Sequence, residues 1–96
     1  MNKEDNSWFL YVVECSDTSL YTGITTDIDR RIHEHNHTKK GAKYTRTRRP
    51  VNLRYMVEHE DRSSASKEEA RFKKLTRKQK HEKISSWLLE KMSRAV

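Results

Sequence analysis

One cysteine, one proline and two glycines are all that 96 residues contain of the three residue types that most often constrain or punctuate a chain. With Cys15 alone, no internal disulfide can form, and a reducing compartment, the cytoplasm, is expected. The longest apolar run, Trp8 to Val13, is far too short to cross a membrane, so no membrane partner is expected. Met1 to Ser7 is polar and holds no apolar core of a signal peptide. Repeats and low-complexity stretches are absent. Apolar residues make up 32% of the chain and charged residues 36%, which allows one lean core and excludes a second. The expected organisation is a flexible N-terminus over 1–7, a single domain over 8–92 and a short tail over 93–96.

Charge is what the chain has in excess. Twenty-one Lys and Arg stand against 14 Asp and Glu, a formal net charge of +7, which favours polyanions and above all nucleic acid. Between Lys39 and Arg49, six of eleven residues are basic: Lys39, Lys40, Lys43, Arg46, Arg48 and Arg49. No acid interrupts them. Tyr44 sits in their midst, where it is placed to stack on an unpaired base. A second basic run, Arg71 to Lys83, reads equally as an extension of that surface or as a solvated helix face. Neither run resembles a helix that reads base edges, so backbone and shape recognition is expected.

The order of elements follows from periodicity. Trp8 to Val13 is β-branched and aromatic and reads as a central strand. Ser16-Asp17-Thr18 is turn chemistry, and Ser19 to Ile24 resumes a strand. A three-residue loop sets Cys15 opposite Ser19 and Val13 opposite Tyr21, so Tyr11 and Tyr21 share one face of the sheet. Thr26 with Asp29 resembles a capping box, Asp27 also suits a helix start, and Ile28 and Ile32 give a helix from about Asp27 to His37 a narrow apolar stripe. Lys39 to Pro50 has no apolar period and reads as a loop. Leu53, Tyr55 and Val57 predict a third strand. A helix from about Ser64 to Leu75 turns Ala65, Phe72 and Leu75 inward. Thr76 and Gln79 form a capping box before a final helix carrying Ile84, Trp87, Leu88 and Met92 at core spacing. The fold class is α+β, a small three-stranded antiparallel sheet flanked by helices in the order ββα-β-αα.

Singly, the polar residues on these elements have ordinary explanations. Tyr11 and Tyr21 are strand tyrosines, Arg31 sits on a charged helix, and Glu69 is an i,i+4 partner for Lys73. His33, His35 and His37 alternate, point to different sides of a helix and have no cysteine pair beside them, which speaks against zinc. Arg31 and His35, one turn apart, project from the same face. Periodicity leaves Glu68 and Glu69 equally placed beside the inward stripe.

As an ordered set the pattern is distinctive. Leu10-Tyr11-Val12, Tyr21-Thr22-Gly23, Arg31, His35-Asn36, Gly41 to Arg46 and Glu69 to Lys73 together resemble the GIY-YIG nuclease superfamily, and within it the small stand-alone bacterial members (UPF0213-like). The resemblance spans roughly residues 8 to 80. Leu10 and Phe9 replace the first motif's leading residues and Thr22 the isoleucine of the second, all at packing positions.

The resemblance implies an endonuclease that hydrolyses phosphodiester bonds in DNA rather than RNA, including branched or structured DNA in repair or recombination, with one divalent metal, Mg²⁺ or Mn²⁺. It implies that Tyr11 deprotonates or orients the attacking water, that Tyr21 lies beside it, and that Arg31 contacts the scissile phosphate. His35 supports the site, Glu69 binds the metal, and Gly23 is the structural glycine that ends the second motif. The chemistry asks for such groups: an arginine fork matches phosphate oxygens, and a hard cation on a carboxylate polarises the phosphoryl group. A nucleic-acid-binding module with little or no cutting activity is the alternative. A monomer is expected, with a protein partner supplying specificity as a further reading if apolar surface is exposed around Trp87 and Leu88.

Overall fold

The four residues Leu10 to Val13 are all buried, on both faces of their strand, because it is central in the sheet and helices pack on either side of it. In the computed structural model, which describes residues 7–94, strand β1 (Trp8–Glu14) is flanked by β2 (Leu20–Thr25) and β3 (Asn52–His59). Both neighbours pair with it antiparallel, in the order β2-β1-β3. The chain is α+β, as its periodicity predicts. Among the described residues four helices complete it: α1 (Ile28–His37), α2 (Lys43–Arg46), α3 (Arg62–Lys73) and α4 (Arg77–Arg94). The N-terminal segment expected to be flexible lies, apart from Ser7, outside the described residues, as do residues 95 and 96. α4 runs two residues into the segment expected as a tail.

The β1–β2 turn has the predicted odd length. Cys15 N–H donates to Ser19 O at 2.8 Å, and Val13 stands opposite Tyr21 and Tyr11 opposite Gly23. Thr18 closes the turn at φ 69°, in the left-handed region that a β-branched residue rarely enters.

Two half-cores follow from the alternation of β1. Leu10 and Val12 pack on one face with Phe72 of α3 and Ile84 of α4. Tyr11, Val13 and Cys15 pack on the other with Val51, and Ile28 and Ile32 of α1 close over them. β3 departs from the simple alternation read from Leu53, Tyr55 and Val57. A bulge opposite the Val12–Val13 step leaves Arg54 with no register partner on β1, so Leu53 turns to the Tyr11 face while Tyr55 joins the Phe72 face.

Local caps account for the helix starts. α1 begins at Asp27, whose carboxylate accepts from Arg30 N–H at 3.0 Å, rather than at the Thr26 of the expected capping box. Asp61 caps α3 in the same way and starts it two residues before Ser64. The Thr76–Gln79 box forms as predicted, with both reciprocal bonds made, at 2.9 and 3.1 Å. In α4, Ile84 is buried and Trp87 and Leu88 are half-buried, but Met92 is not core: it and Leu89 are about two-thirds exposed, at 66% and 64%. A cleft of about 860 Å³ runs between Tyr55–Val57 and this helix. It is lined by neither Tyr11 nor Arg31 nor His35. No helix of the described residues is long and apolar enough to cross a membrane.

Candidate active site

The site is built on the Tyr11 face. Gly23 lies directly across from Tyr11, and the ring rests over the glycine backbone: a Cβ there would stand 2.6 Å from the hydroxyl oxygen and 2.8 Å from Cζ. Only glycine leaves that space. The Tyr11 hydroxyl is thereby set 2.7 Å from His35 Nε2, and both side chains are buried, at 1% and 0% exposure.

Proton counting assigns the histidine tautomer. Thr45 Oγ1 donates to Ala42 O at 3.0 Å, which leaves its lone pairs to accept from His35 Nδ1–H at 2.7 Å. Nε2 is then the acceptor for the Tyr11 hydroxyl, whose oxygen accepts in turn from Arg31 Nε–H at 3.4 Å. The opposite tautomer gains only a long contact from Ala42 N–H, 3.4 Å, and strands the Tyr11 proton without an acceptor. The arrangement is a directed chain from Arg31 through Tyr11 and His35 to Thr45.

Burial decides the ionisation of both central groups. It pushes the Tyr11 hydroxyl up to about 12, against the opposing hydrogen bond and charge of Arg31. It pulls His35 down to about 4, reinforced by the Arg31 charge, so the imidazole is neutral at pH 7. Arg31 is held above its ordinary value although burial works against it, because Glu34 accepts from its Nη1 at 2.8 Å and Tyr11 adds to the effect. The same nitrogen donates to Lys40 O at 2.8 Å. Nη2 makes no bond within the described residues, and the side chain is 24% exposed. Arg31 is thus oriented by the protein and left open on one terminal nitrogen.

Tyr21 joins this group through its ring, edge-on to His35 with centroids 5.3 Å apart. Its hydroxyl, unlike that of Tyr11, makes no hydrogen bond among the described residues, and the residue is half-buried. Glu69, on α3, pairs with Lys73 Nζ at 3.1 Å, and its charge is felt at the Tyr11 hydroxyl. Glu68 pairs with Arg71 at 2.6 Å, and its charge is felt instead at Tyr55, on the opposite face of the sheet.

The basic segment divides into two groups. Lys39, Lys40, Lys43, Tyr44 and Arg46 are exposed. Arg49 points inward onto the end of α1, where its Nε donates to His35 O at 2.5 Å and its Nη2 to Glu34 O and Thr38 O. Arg48 bridges to Asp17 of the β1–β2 turn at 3.1 Å and lies 3.9 Å over the Tyr44 ring. The segment is not free of acids in space, since Asp17 reaches it. Nor is it all loop, because Thr45, wholly buried on His35, anchors the four-residue α2.

Thr45, Gly41 and Asn36 are the site residues that single-residue reading passes over. A Cβ on Gly41 would stand 2.8 Å from Glu34 O, and Asn36 holds Val51 through both its amide atoms, at 3.1 and 2.7 Å. The only signal for them in the sequence is their place within the distinctive runs His35-Asn36 and Gly41 to Arg46.

A sheet whose central tyrosine meets a helix-borne arginine and histidine, with a glycine under its ring, defines a class. The model of the GIY-YIG catalytic domain matches residues 7–83, and the chain belongs to that family, a family of nucleases. Its relatives include a UPF0213 protein of Desulfotalea psychrophila, 59% identical over 70 residues, a match covering 73% of this chain and 64% of that one. A UPF0213 protein of Bacillus cereus is 54% identical over 79 residues, covering 82% and 81%. Among solved structures, a solution NMR structure of a protein from E. faecalis superposes with a TM-score of 0.58 at 46% identity, covering 88% of this chain and 92% of its own. That of a UPF0213 protein from Bacillus halodurans gives 0.54 at 42% identity, covering 82% and 83%.

Proposed function

We propose that the chain is an endonuclease that hydrolyses phosphodiester bonds in DNA, branched or structured DNA included, with one divalent cation, Mg²⁺ or Mn²⁺. The observation that carries this reading is the meeting of Arg31 and His35, both from α1, at the one buried hydroxyl of Tyr11. Binding alone has no need of a buried neutral imidazole locked to a tyrosine.

Among the described residues no group of three or more His, Cys, Asp or Glu converges on one point. Mg²⁺ does not require one: it is commonly held by one or two carboxylates, with substrate oxygens and water filling the remaining positions. Glu69, 24% exposed and paired among the described residues only with a lysine of its own helix, fits that pattern. A cation there would supply charge to the phosphoryl oxygens. Arg31, oriented by Glu34 and Lys40 O, binds the scissile phosphate through its open side. Water attacks phosphorus, one P–O ester bond breaks, and the leaving oxygen takes a proton. Tyr11, protonated and donating to His35, positions Arg31 and the imidazole rather than acting as the base. Tyr21, whose hydroxyl makes no hydrogen bond among the described residues, is the tyrosine that orients the attacking water by hydrogen bonding.

Lys39, Lys40, Lys43 and Arg46 hold the flanking phosphates, with Tyr44 beside them, while Arg48 and Arg49 shape the surface that presents them. The protein works as a cytoplasmic monomer, consistent with its one buried cysteine.

The test is cleavage of duplex, single-stranded, flap and four-way-junction DNA with Mg²⁺ or Mn²⁺. Arg31→Ala, Glu69→Gln and Tyr21→Phe are each expected to lower the rate about 10² to 10⁴-fold. The fixed, fully protonated Tyr11 favours one second reading, a module that binds nucleic acid without cutting it. Salt-sensitive binding with no metal-dependent cleavage of any substrate decides for that module.

A further inference from the structure

α1 carries a second pair of imidazoles that the candidate site does not use. His33 and His37 are four residues apart, both exposed, with ring centroids 4.9 Å apart and planes inclined by 37°. At about 100° per residue they lie on the side of the helix away from Arg31 and His35. Neither ring makes a hydrogen bond or ion pair with the described residues, so both keep their ring nitrogens for an external partner. Asp29 lies one turn earlier on the same stripe, also exposed and without an ion pair among the described residues, and adds negative charge to it. Alternation of His33, His35 and His37 hides this pairing: His35 faces the core, and the outer two face each other.

We propose that His33 and His37 form a two-imidazole clip for a borderline divalent cation of the zinc, nickel and copper class, distinct from the hard cation of the proposed hydrolysis. Two histidines at i and i+4 on a helix present their nitrogens to one ion, the spacing used by zinc-binding helices. Imidazole selects Cu²⁺, Ni²⁺ and Zn²⁺, with Cu²⁺ bound tightest among them, whereas Mg²⁺ and Mn²⁺ prefer oxygen. Asp29 falls short of making a three-residue ligand group, so water completes the coordination and the ion remains exchangeable. Because the two rings are neighbours only while this turn is helical, the ion stabilises the C-terminal half of α1, the part that holds His35 and Asn36 in position. The clip stands on its own geometry and does not depend on the nuclease reading.

The experiment uses the full chain without an affinity tag, ¹⁵N-labelled, titrated with CuCl₂ below one equivalent and, separately, with ZnCl₂. Paramagnetic broadening by Cu²⁺ is expected to centre on the amides around His33 and His37. Zn²⁺ is expected to raise the thermal midpoint of the native chain, and MgCl₂ at the same concentration to leave these resonances unmoved. His33→Gln and His37→Gln, both at exposed positions, are each expected to abolish the local broadening and weaken Zn²⁺ binding at least about 10-fold, since each removes one of only two protein ligands. Broadening centred on His59, His81 or Glu69, or broadening at α1 that survives either substitution, overturns the proposal.

Discussion

The Tyr11 hydroxyl lies 2.7 Å from His35 Nε2, and the pair is sealed between Gly23 on one side and Thr45 on the other. The contact requires a neutral imidazole, and burial holds the His35 pKa at about 4, below the ordinary value of 6.5. A base with a depressed folded-state pKa binds its proton in the unfolded chain first. The stability it contributes is therefore complete above about pH 6.5 and is lost as the pH falls from there through about 4. The loss attributable to His35 is up to about 3 kcal/mol. Urea denaturation at closely spaced pH values should show this decline in the native chain. His35→Gln should be less stable at pH 7 but should change little over that window, and an equally steep decline in the variant would assign it to other groups.

Gly23→Ala tests the other side of the same pair. The added methyl would stand 2.6 Å from the Tyr11 oxygen and 2.8 Å from Cζ, so ring or strand must move. A cost of about 1–3 kcal/mol is expected, the range for overpacking a well-filled core. Tyr11→Phe removes the nearest of the clashing atoms. The double variant should therefore lose less stability than the two single losses added together, by at least about 0.5 kcal/mol. Strict additivity would mean that the methyl is accommodated without touching Tyr11.

Thr18 stores strain that can be released without touching the site. Its φ of 69° places a β-branched residue where glycine or asparagine is usual. Thr18 N–H bonds Cys15 O at 2.9 Å, and its own carbonyl accepts a long bond, 3.4 Å, from Arg77. Those backbone bonds do not need the threonine side chain. Thr18→Gly should raise stability by about 1 kcal/mol, after the extra freedom glycine gives the unfolded chain is set against the relieved strain. A lowered thermal midpoint would show that the threonine side chain contributes more than its backbone costs.

What the sequence makes legible is what depends on near neighbours or on strict alternation. The shared face of Tyr11 and Tyr21 follows from an odd turn length and a period of two, and the Thr76–Gln79 box is decided within four residues. The bulge at Arg54 is invisible to alternation because it is the place where alternation fails. Gly41 and Thr45 lie in a segment with no apolar period, and their partners are on α1, so no local pattern marks them. The inward course of Arg49 is hidden for a related reason: beside five other cations it reads as one more solvated charge. Glu68 and Glu69 stay equivalent to periodicity because each flanks the inward stripe of α3 and pairs with a cation of its own helix.

That division within the basic segment gives the sharpest contrast between neighbouring residues of one charge. Arg49 donates to three carbonyls at the end of α1, so Arg49→Ala should lower the urea midpoint by an amount corresponding to about 1–3 kcal/mol, the cost of leaving such groups unmet. Lys43 is exposed and its side chain makes no hydrogen bond or ion pair within the described residues, so Lys43→Ala should leave the midpoint within about 0.5 kcal/mol. Nucleic-acid binding should show the reverse. For a DNA duplex titrated at several salt concentrations, Lys43→Ala should reduce the slope of log K against log[salt] by about one, the signature of a lost phosphate contact. A conservative Arg49→Lys variant, compared where both proteins are fully folded, should keep the native slope if Arg49 serves the fold alone. A slope lowered equally by Arg49→Lys and Lys43→Ala would place Arg49 on the phosphates and return it to the binding surface.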